Sequence, residues 1–280
     1  MMVSSSSKKI VVVTDLDGTL LDENTYSADS SLSAIRALQS LGIPIIFCSS
    51  KTRREQEVIR SYLAVHDPFI VENGSAIIIP PNVLPKTLEC QEEEDGTCIV
   101  ILGLGANKVR KTLEQIITVT GIKFQGFSGM SKEDVSFITG LDPESAALAK
   151  TREYSETIVT RFSHSDLQLF TDVCKTHGLY CTAGGRFLNV TGDGANKGKA
   201  VQLLTRYYRS NFRDLVTVGI GDSPNDAPML SVVDFPYLVQ RPNGEWRDME
   251  IPNLNRIPAI GPLGFAKVVD VIKDRRLDKD

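Results

Sequence analysis

The sequence predicts an α/β fold built on a doubly wound parallel sheet, with an α+β unit inserted into it. Two runs carry the sheet. Ile10–Thr14 and Leu215–Ile220 are rich in β-branched residues and show no polar alternation, as strands covered on both faces do. Segments with helical spacing separate the early strands, which is the alternation expected of parallel pairing. The third observation is a break: PPNVLPKTLECQEEEDGT, residues 80–97, is rich in proline and acid, and the texture beyond it changes until about residue 192.

In chain order, Ser30–Leu41 carries Leu32, Ile35, Leu38 and Leu41 at helical spacing, and Gly42 suits the position that ends a helix. IPIIFC (Ile43–Cys48) reads as a second buried strand and Arg53–Leu63 as a second helix. PFIVENGSAIII gives a short strand, a turn at Asn73-Gly74 and another strand. In the insert, CIVILGLG, a helix from Ala106 to about Val119, SETIVTRF, a helix near Asp166–Thr176 and RFLNVTG compose the α+β unit. A helix at Gly198–Tyr208 and the strand LVTVGIG then resume the parallel sheet. The resulting division is a core of residues 8–83 and 192–280 and an insert of residues 84–191.

Bulk properties exclude several classes. A chain of 280 residues can bury a sizeable core, and 41% hydrophobic with 24% charged residues is ordinary for a soluble globular protein. The net charge of -4 gives no whole-chain attraction to nucleic acid or an anionic membrane. No apolar stretch approaches the roughly 20 residues of a membrane span, and MMVSSSSKKIVVV has no signal-peptide core. Met1–Ser7 reads as a loose tail. Five cysteines without a CxxC read most simply as reduced thiols of a cytoplasmic protein. His66, His164 and His177 fall in no ligand spacing.

The chemistry is carried by acids at strand ends. Ligands of open α/β sheets bind at the carboxyl ends of the strands, and Asp15 stands at one. Asp15 and Asp17 point the same way along an extended segment, while Leu16 packs behind them. Two adjacent carboxylates repel, and a hard divalent cation such as Mg²⁺ resolves the conflict. Taken alone, the pair also suits a plain acidic turn. Asp222 and Asp226, with Asn225 between them, follow the buried run Leu215–Ile220 and supply a second acidic loop. Ser49, Ser50 and Lys51 end the second strand with hydroxyls and an ammonium. Lys197 and Lys199 open a helix whose N-terminus favours anions. The set reads as a phosphoryl-transfer site acting on a small phosphorylated molecule, and oligomeric state leaves no trace in the sequence.

In this order, DLDGTLL, SSK, NKGKAV and GDSPNDAPML resemble the four motifs of the haloacid dehalogenase superfamily of phosphatases, over nearly the whole chain. The insertion resembles the type-2 cap of its Cof-like branch, implying a Rossmann-like core with an inserted α+β type-2 cap. FCSSKTRREQEVIR, PFIVENGSAIIIP, REYSE and GGRFLNVTG are similar to the mannosyl-3-phosphoglycerate phosphatase family. Thr157 departs from that pattern, which has proline after EYSE.

The resemblance implies roles. Asp15 is the nucleophile that becomes an aspartyl phosphate, and Asp17 is the acid and then the base. Asp15, Asp17 (in part through its main-chain carbonyl) and Asp222 hold Mg²⁺, with Asn225 and Asp226 in support. Ser49 and Lys197 bind phosphoryl oxygens, and Thr19 helps fix the first loop. Ser50, Lys51, Asn73 and Arg186 fall on the substrate side, with Arg186 expected at the glycerate carboxylate of the substrate. Arg186 equally suits a solvent-facing strand position, and Asn73-Gly74 a plain turn. The implied reaction is release of phosphate from mannosyl-3-phosphoglycerate. Alternatives are the glucosyl analogue, a broader sugar phosphate, or phosphomutase chemistry of the phosphomannomutase type. Proline and glycine in PPNVLP and TGDGA suit a hinge for the cap.

Overall fold

The computed structural model describes residues 9–83, 89–184, 186–212 and 214–274. The tail Met1–Ser7, the first residues of the expected insert from Leu84 to Leu88, and Gly185 of GGRF lie outside the described residues.

The chain begins with β1 (Lys9–Thr14), α1 (Leu32–Ser40), β2 (Ile45–Phe47), α2 (Arg53–Leu63), β3 (Phe69–Val71) and β4 (Ala76–Ile79). After α1 the chain turns through Gly42 at φ +64°, as the helix-ending reading requires. The first turn expected for α1 is instead a 3-10 turn at Asp29–Ser31. Thr52 starts α2 through a capping box with Glu55.

Then come β5 (Gln91–Glu92), β6 (Cys98–Ile101), α3 (Ala106–Thr120), α4 (Lys132–Thr139), α5 (Pro143–Ala149), β7 (Ser155–Ile158), α6 (His164–Thr176), β8 (Leu179–Gly184) and β9 (Phe187–Gly192). The final part holds α7 (Lys197–Asn211), β10 (Leu215–Gly221), α8 (Ala227–Leu230), β11 (Phe235–Gln240), β12 (Asn255–Ile260) and α9 (Gly261–Lys273).

Five strands form one parallel sheet in the order β12-β11-β10-β1-β2. Successive β1 side chains serve opposite faces. Val12 joins Ile35, Leu38, Phe265 and Val268 beneath α1 and α9, while Val11 and Val13 join Ala200, Val201 and Leu204 beneath α7. This two-sided burial explains the unbroken apolar runs.

Two further sheets are antiparallel, β3-β4-β6-β5 and β7-β9-β8. The first continues from β2 through a bridge between Cys48 and Ile70. β5 and β6, inside the stretch expected to be inserted, pair through β4 with strands before it. The second sheet is covered by α3 and α6 through Val109, Leu113, Ile116, Phe170 and Cys174. Helices α4 and α5, which hydrophobic periodicity alone did not reveal, pack Val135, Ala146 and Ala149 against Phe127 and Met130. The two connections to this second unit run side by side: a Cβ on Gly194 would sit 1.8 Å from the Leu102 carbonyl oxygen.

The reading of five reduced thiols is corrected for two of them. The β5–β6 hairpin brings Cys90 and Cys98 to a Cα separation of 5.6 Å, and they form a disulfide. Cys48, Cys174 and Cys181 are free. Among the described residues, no helix is long and apolar enough to cross a membrane.

Candidate active site

β1 and β10 are neighbours at the centre of the sheet, and the chain leaves them toward opposite edges. A crevice opens at such a reversal, beyond the carboxyl ends of the strands. Register decides what lines it. Thr14 pairs with Ile220, and the Asp15 amide donates to the Ile220 carbonyl at 2.9 Å, so Asp15 and Asp222 emerge almost level. Asp226 folds back from the next turn, where its Oδ2 accepts from the amides of Asp222 (3.1 Å) and Ser223 (3.2 Å).

Asp15, Asp222 and Asp226 are all buried, and each offers an oxygen within 4.8 Å of the others. Lys197, only 2% exposed, reaches into the group. Its Nζ lies 2.7 Å from Asp15 Oδ1 and 2.6 Å from Asp226 Oδ1. Burial pushes the Asp15 carboxyl well above the usual carboxylate range, with Asp226 adding to the rise and Lys197 opposing it. Burial, then Asp226, lifts Asp222 to about 6, and Arg241 opposes that rise through a direct ion pair. Arg241 also pairs with Glu23.

Three buried acids outnumber the two cations that touch them, Lys197 and Arg241, which leaves an excess of negative charge and an all-oxygen donor set. The group therefore fits a hard divalent cation, which would relieve the carboxylates that burial disfavours. Asp17 does not belong to this group of three. Its Oδ1 lies 3.1 Å from Lys51 Nζ, and its side chain is one-third exposed toward the cleft.

The second strand supplies the opposite wall. Ser49 is buried, and its Oγ accepts from the Lys51 amide at 3.3 Å. Lys51 also lies 3.5 Å from Glu55 and sits over the Tyr26 ring. Thr19 is buried behind the first loop with its hydroxyl unpartnered, and Asn225 accepts from the Ser223 hydroxyl. Asn73, in the left-handed region at φ +60°, is buried and donates its amide to the Ser49 carbonyl. The turn around it is packed tightly: a Cβ on Gly74 would fall 2.2 Å from the Asn196 carbonyl carbon, beside Lys197.

A cleft of about 360 Å³ joins these groups to the second unit, which contributes Phe127, Arg152, Thr157, Arg186 and Asn189. Thr157 Oγ1 donates to Asn189 Oδ1 at 3.0 Å, and its amide donates to the Glu156 carboxylate. The Thr157 hydroxyl thus spans two strands where proline has no donor. Arg186 lines the cleft, but its guanidinium is already engaged. It donates to the Thr139 carbonyl (2.6 Å), the Tyr26 hydroxyl (3.0 Å) and the Ile138 carbonyl (3.4 Å).

Sequence reasoning missed Arg152, Arg241 and the part played by Glu72. Arg241 follows β11, so its place at a strand's carboxyl end was a usable signal. Glu72 is fully buried and accepts from the amides of Glu153 (2.8 Å) and Tyr154 (3.1 Å) and from the Ser155 hydroxyl. Those partners lie more than 80 residues away, where no local signal reaches.

Paired strand-end acids, a buried lysine and a two-sided cleft define a phosphoryl-transfer class of α/β protein. Residues 12–245 match the family described as haloacid dehalogenase-like hydrolase, and the chain belongs to that family of hydrolases. It is 41% identical over 262 residues to a glucosyl-3-phosphoglycerate/mannosyl-3-phosphoglycerate phosphatase of Methanococcoides burtonii, covering 93% of this chain and 96% of that one. It is 39% identical over 230 residues to a mannosyl-3-phosphoglycerate phosphatase of Pyrococcus horikoshii, covering 82% and 90%. In fold it is similar to the Thermoplasma acidophilum 0175 protein, with a TM-score of 0.67, 16% identity and coverage of 95% and 99%. It also resembles a HAD subclass IIB sugar phosphatase, with a TM-score of 0.60, 15% identity and coverage of 96% and 100%.

Proposed function

We propose that the chain releases phosphate from mannosyl-3-phosphoglycerate through an aspartyl phosphate on Asp15. The observation that carries this reading is the Lys197 ammonium held between Asp15 and Asp226. It ties up one Asp15 oxygen, leaves the other to attack phosphorus, and supplies a fixed cation where phosphoryl charge collects. Phosphate-monoester hydrolysis demands acceleration approaching ~10²¹-fold, whereas acid–base help alone gives roughly 10²–10⁴. A covalent step and fixed charges are therefore required.

Asp17, on the open side of the cleft, donates a proton to the departing glyceryl oxygen and then takes one from the attacking water. Ser49 and Lys197 bind phosphoryl oxygens, and Thr19 braces the loop. Asp15, Asp222 and the Asp17 main-chain carbonyl would hold Mg²⁺, supported by Asp226 and Asn225, and the ion would draw charge from the phosphoryl oxygens. Ser50, Lys51, Asn73 and Arg186 form the substrate side of the cleft. The insert, residues 84–191, acts as a cap that selects the leaving group. Because β5 and β6 pair with β4, the moving unit starts later than residue 84, near Gly103, and its return connection runs to Gly194. The site acts on a small solute in the cytoplasm.

The glucosyl ester is a second reading, favoured by the double name of the Methanococcoides relative. Phosphate release from both glycosyl-3-phosphoglycerates and a panel of sugar phosphates, with and without EDTA, tests the proposal. Release from the glycosyl esters, abolished by EDTA and restored by Mg²⁺, is expected. Turnover only in the presence of a sugar bisphosphate would favour phosphomutase chemistry instead.

A further inference from the structure

We infer that Arg152, rather than Arg186, reads the glycerate carboxylate; the assignment rests on the function proposed above. Four basic side chains line the cleft: Lys51, Arg152, Arg186 and Arg241. Lys51 is paired with Asp17 and Glu55, and Arg241 with Asp222 and Glu23. Neither has charge to spare for a ligand. Arg186 is exposed, and both of its terminal nitrogens donate to oxygens of Thr139, Ile138 and Tyr26.

Arg152 differs. Among the described residues it makes no direct ion pair: the buried Glu72 acts on it through its field, but the Glu72 oxygens are taken by the Glu153 and Tyr154 amides and the Ser155 hydroxyl. Its Nη1 is shared between the Ser50 carbonyl (3.2 Å) and the Ser155 hydroxyl (3.0 Å). Its Nε is buried without any acceptor. Arg152 lines the cleft without an ion-pair partner, and its planar fork matches a carboxylate.

Substrate geometry selects the same residue. In a 3-phosphoglycerate ester, two carbons and one oxygen separate the carboxylate carbon from phosphorus. The carboxylate must therefore bind close to the loops that hold the phosphoryl group. Arg152 touches that loop, at the carbonyl of Ser50 next to Ser49.

The core also fixes where Arg152 stands. The Glu72 carboxylate holds the amides of Glu153 and Tyr154 and the hydroxyl of Ser155, so the backbone just past Arg152 is pinned to the core. Phe127 lies beside the guanidinium, with its ring centroid 5.9 Å away. Arg152 is thus held over the cleft before substrate arrives.

The test compares kcat/KM for mannosyl-3-phosphoglycerate and for its carboxamide, in which a neutral amide replaces the carboxylate. Wild type, Arg152→Gln and Arg186→Gln are assayed, with p-nitrophenyl phosphate turnover reporting a folded core. Wild type should prefer the carboxylate by about 10- to 100-fold, the scale of a charged hydrogen bond. Arg152→Gln should bring that ratio near one, and Arg186→Gln should preserve it. An unchanged ratio in Arg152→Gln, or a ratio lost only in Arg186→Gln, overturns the assignment. If Arg152→Gln does not fold, Arg152→Lys replaces it, and a ratio equal to that of wild type again overturns the assignment. Wild type inactive on both esters is a separate outcome, leaving no ratio to compare, and sinks the proposed function together with this inference.

Discussion

The Nζ of Lys197 lies 2.7 Å from Oδ1 of Asp15, although 182 residues separate them, and the contact is buried. It joins the end of the first strand to the start of α7 and ties the nucleophile's geometry to the fold. Lys197→Met removes the only ammonium bonded to Asp15 and Asp226 among the described residues. Breaking a buried pair from one side costs about 3–5 kcal/mol. Urea denaturation should show a loss of that order, and phosphate release should fall by at least about 10³-fold.

Glu72 gives a pH prediction. Burial raises its pKa above the usual 4.5, chiefly opposed by Arg152 and the Ser155 hydroxyl. A carboxyl raised on folding contributes stability that is complete below its unfolded value and lost as pH climbs through its folded value. Glu72→Gln has no such titration. Compared with wild type, the variant should therefore gain ground as pH rises above 4.5, read by denaturant midpoints. A stability difference independent of pH would contradict the raised pKa.

Gly74 tests the packing beside Lys197. It adopts φ +88°, and an added Cβ would strike the backbone of Asn196. Left-handed strain of roughly 1–2 kcal/mol and overpacking of about 1–3 kcal/mol act together. Gly74→Ala should lose about 3 kcal/mol by chemical denaturation and reduce turnover as Lys197 shifts. Gly105→Ala, with nothing within 4 Å of the added carbon, is the control and should stay within about 1 kcal/mol of wild type.

Legibility in the sequence followed the range of the interactions. Ile10–Thr14 and Leu215–Ile220 were readable because burial on both faces leaves no charged residue in either run and only one threonine in each. The acids at their ends were readable because a strand end is a local feature. The segment that follows Arg152 meets Glu72 only through packing, and neither segment carries a periodic sign of it. The Cys90–Cys98 disulfide depends on a hairpin whose first strand, Gln91–Glu92, is too short and exposed to show alternation. Helices α4 and α5 are a different case. Ser131 with Asp134, and Asp142 before Pro143, are local start signals, and the two helices' few apolar positions obscured them.

Asp17 has a role separable from that of Asp15. Its carboxylate lies outside the buried cluster and near Lys51, so Asp17→Asn should leave the fold and the cluster in place. Turnover of mannosyl-3-phosphoglycerate should fall by roughly 10²–10⁴-fold. The loss on p-nitrophenyl phosphate should be smaller in the first half-reaction, because its leaving group needs no proton. Equal losses in a pre-steady-state burst on both substrates would remove Asp17 from the acid role.

The covalent step itself is the most direct test. Asp17→Asn, mixed with p-nitrophenyl phosphate, whose leaving group needs no proton, and quenched in acid on the millisecond-to-second scale, should accumulate one phosphoryl group per chain because the water-activating base is gone. Peptide mass spectrometry should place that group on Asp15, and Asp15→Asn should show neither the label nor phosphate release above a few per cent of wild type. A chain that releases phosphate with no label on Asp15 at any quench time would contradict the account.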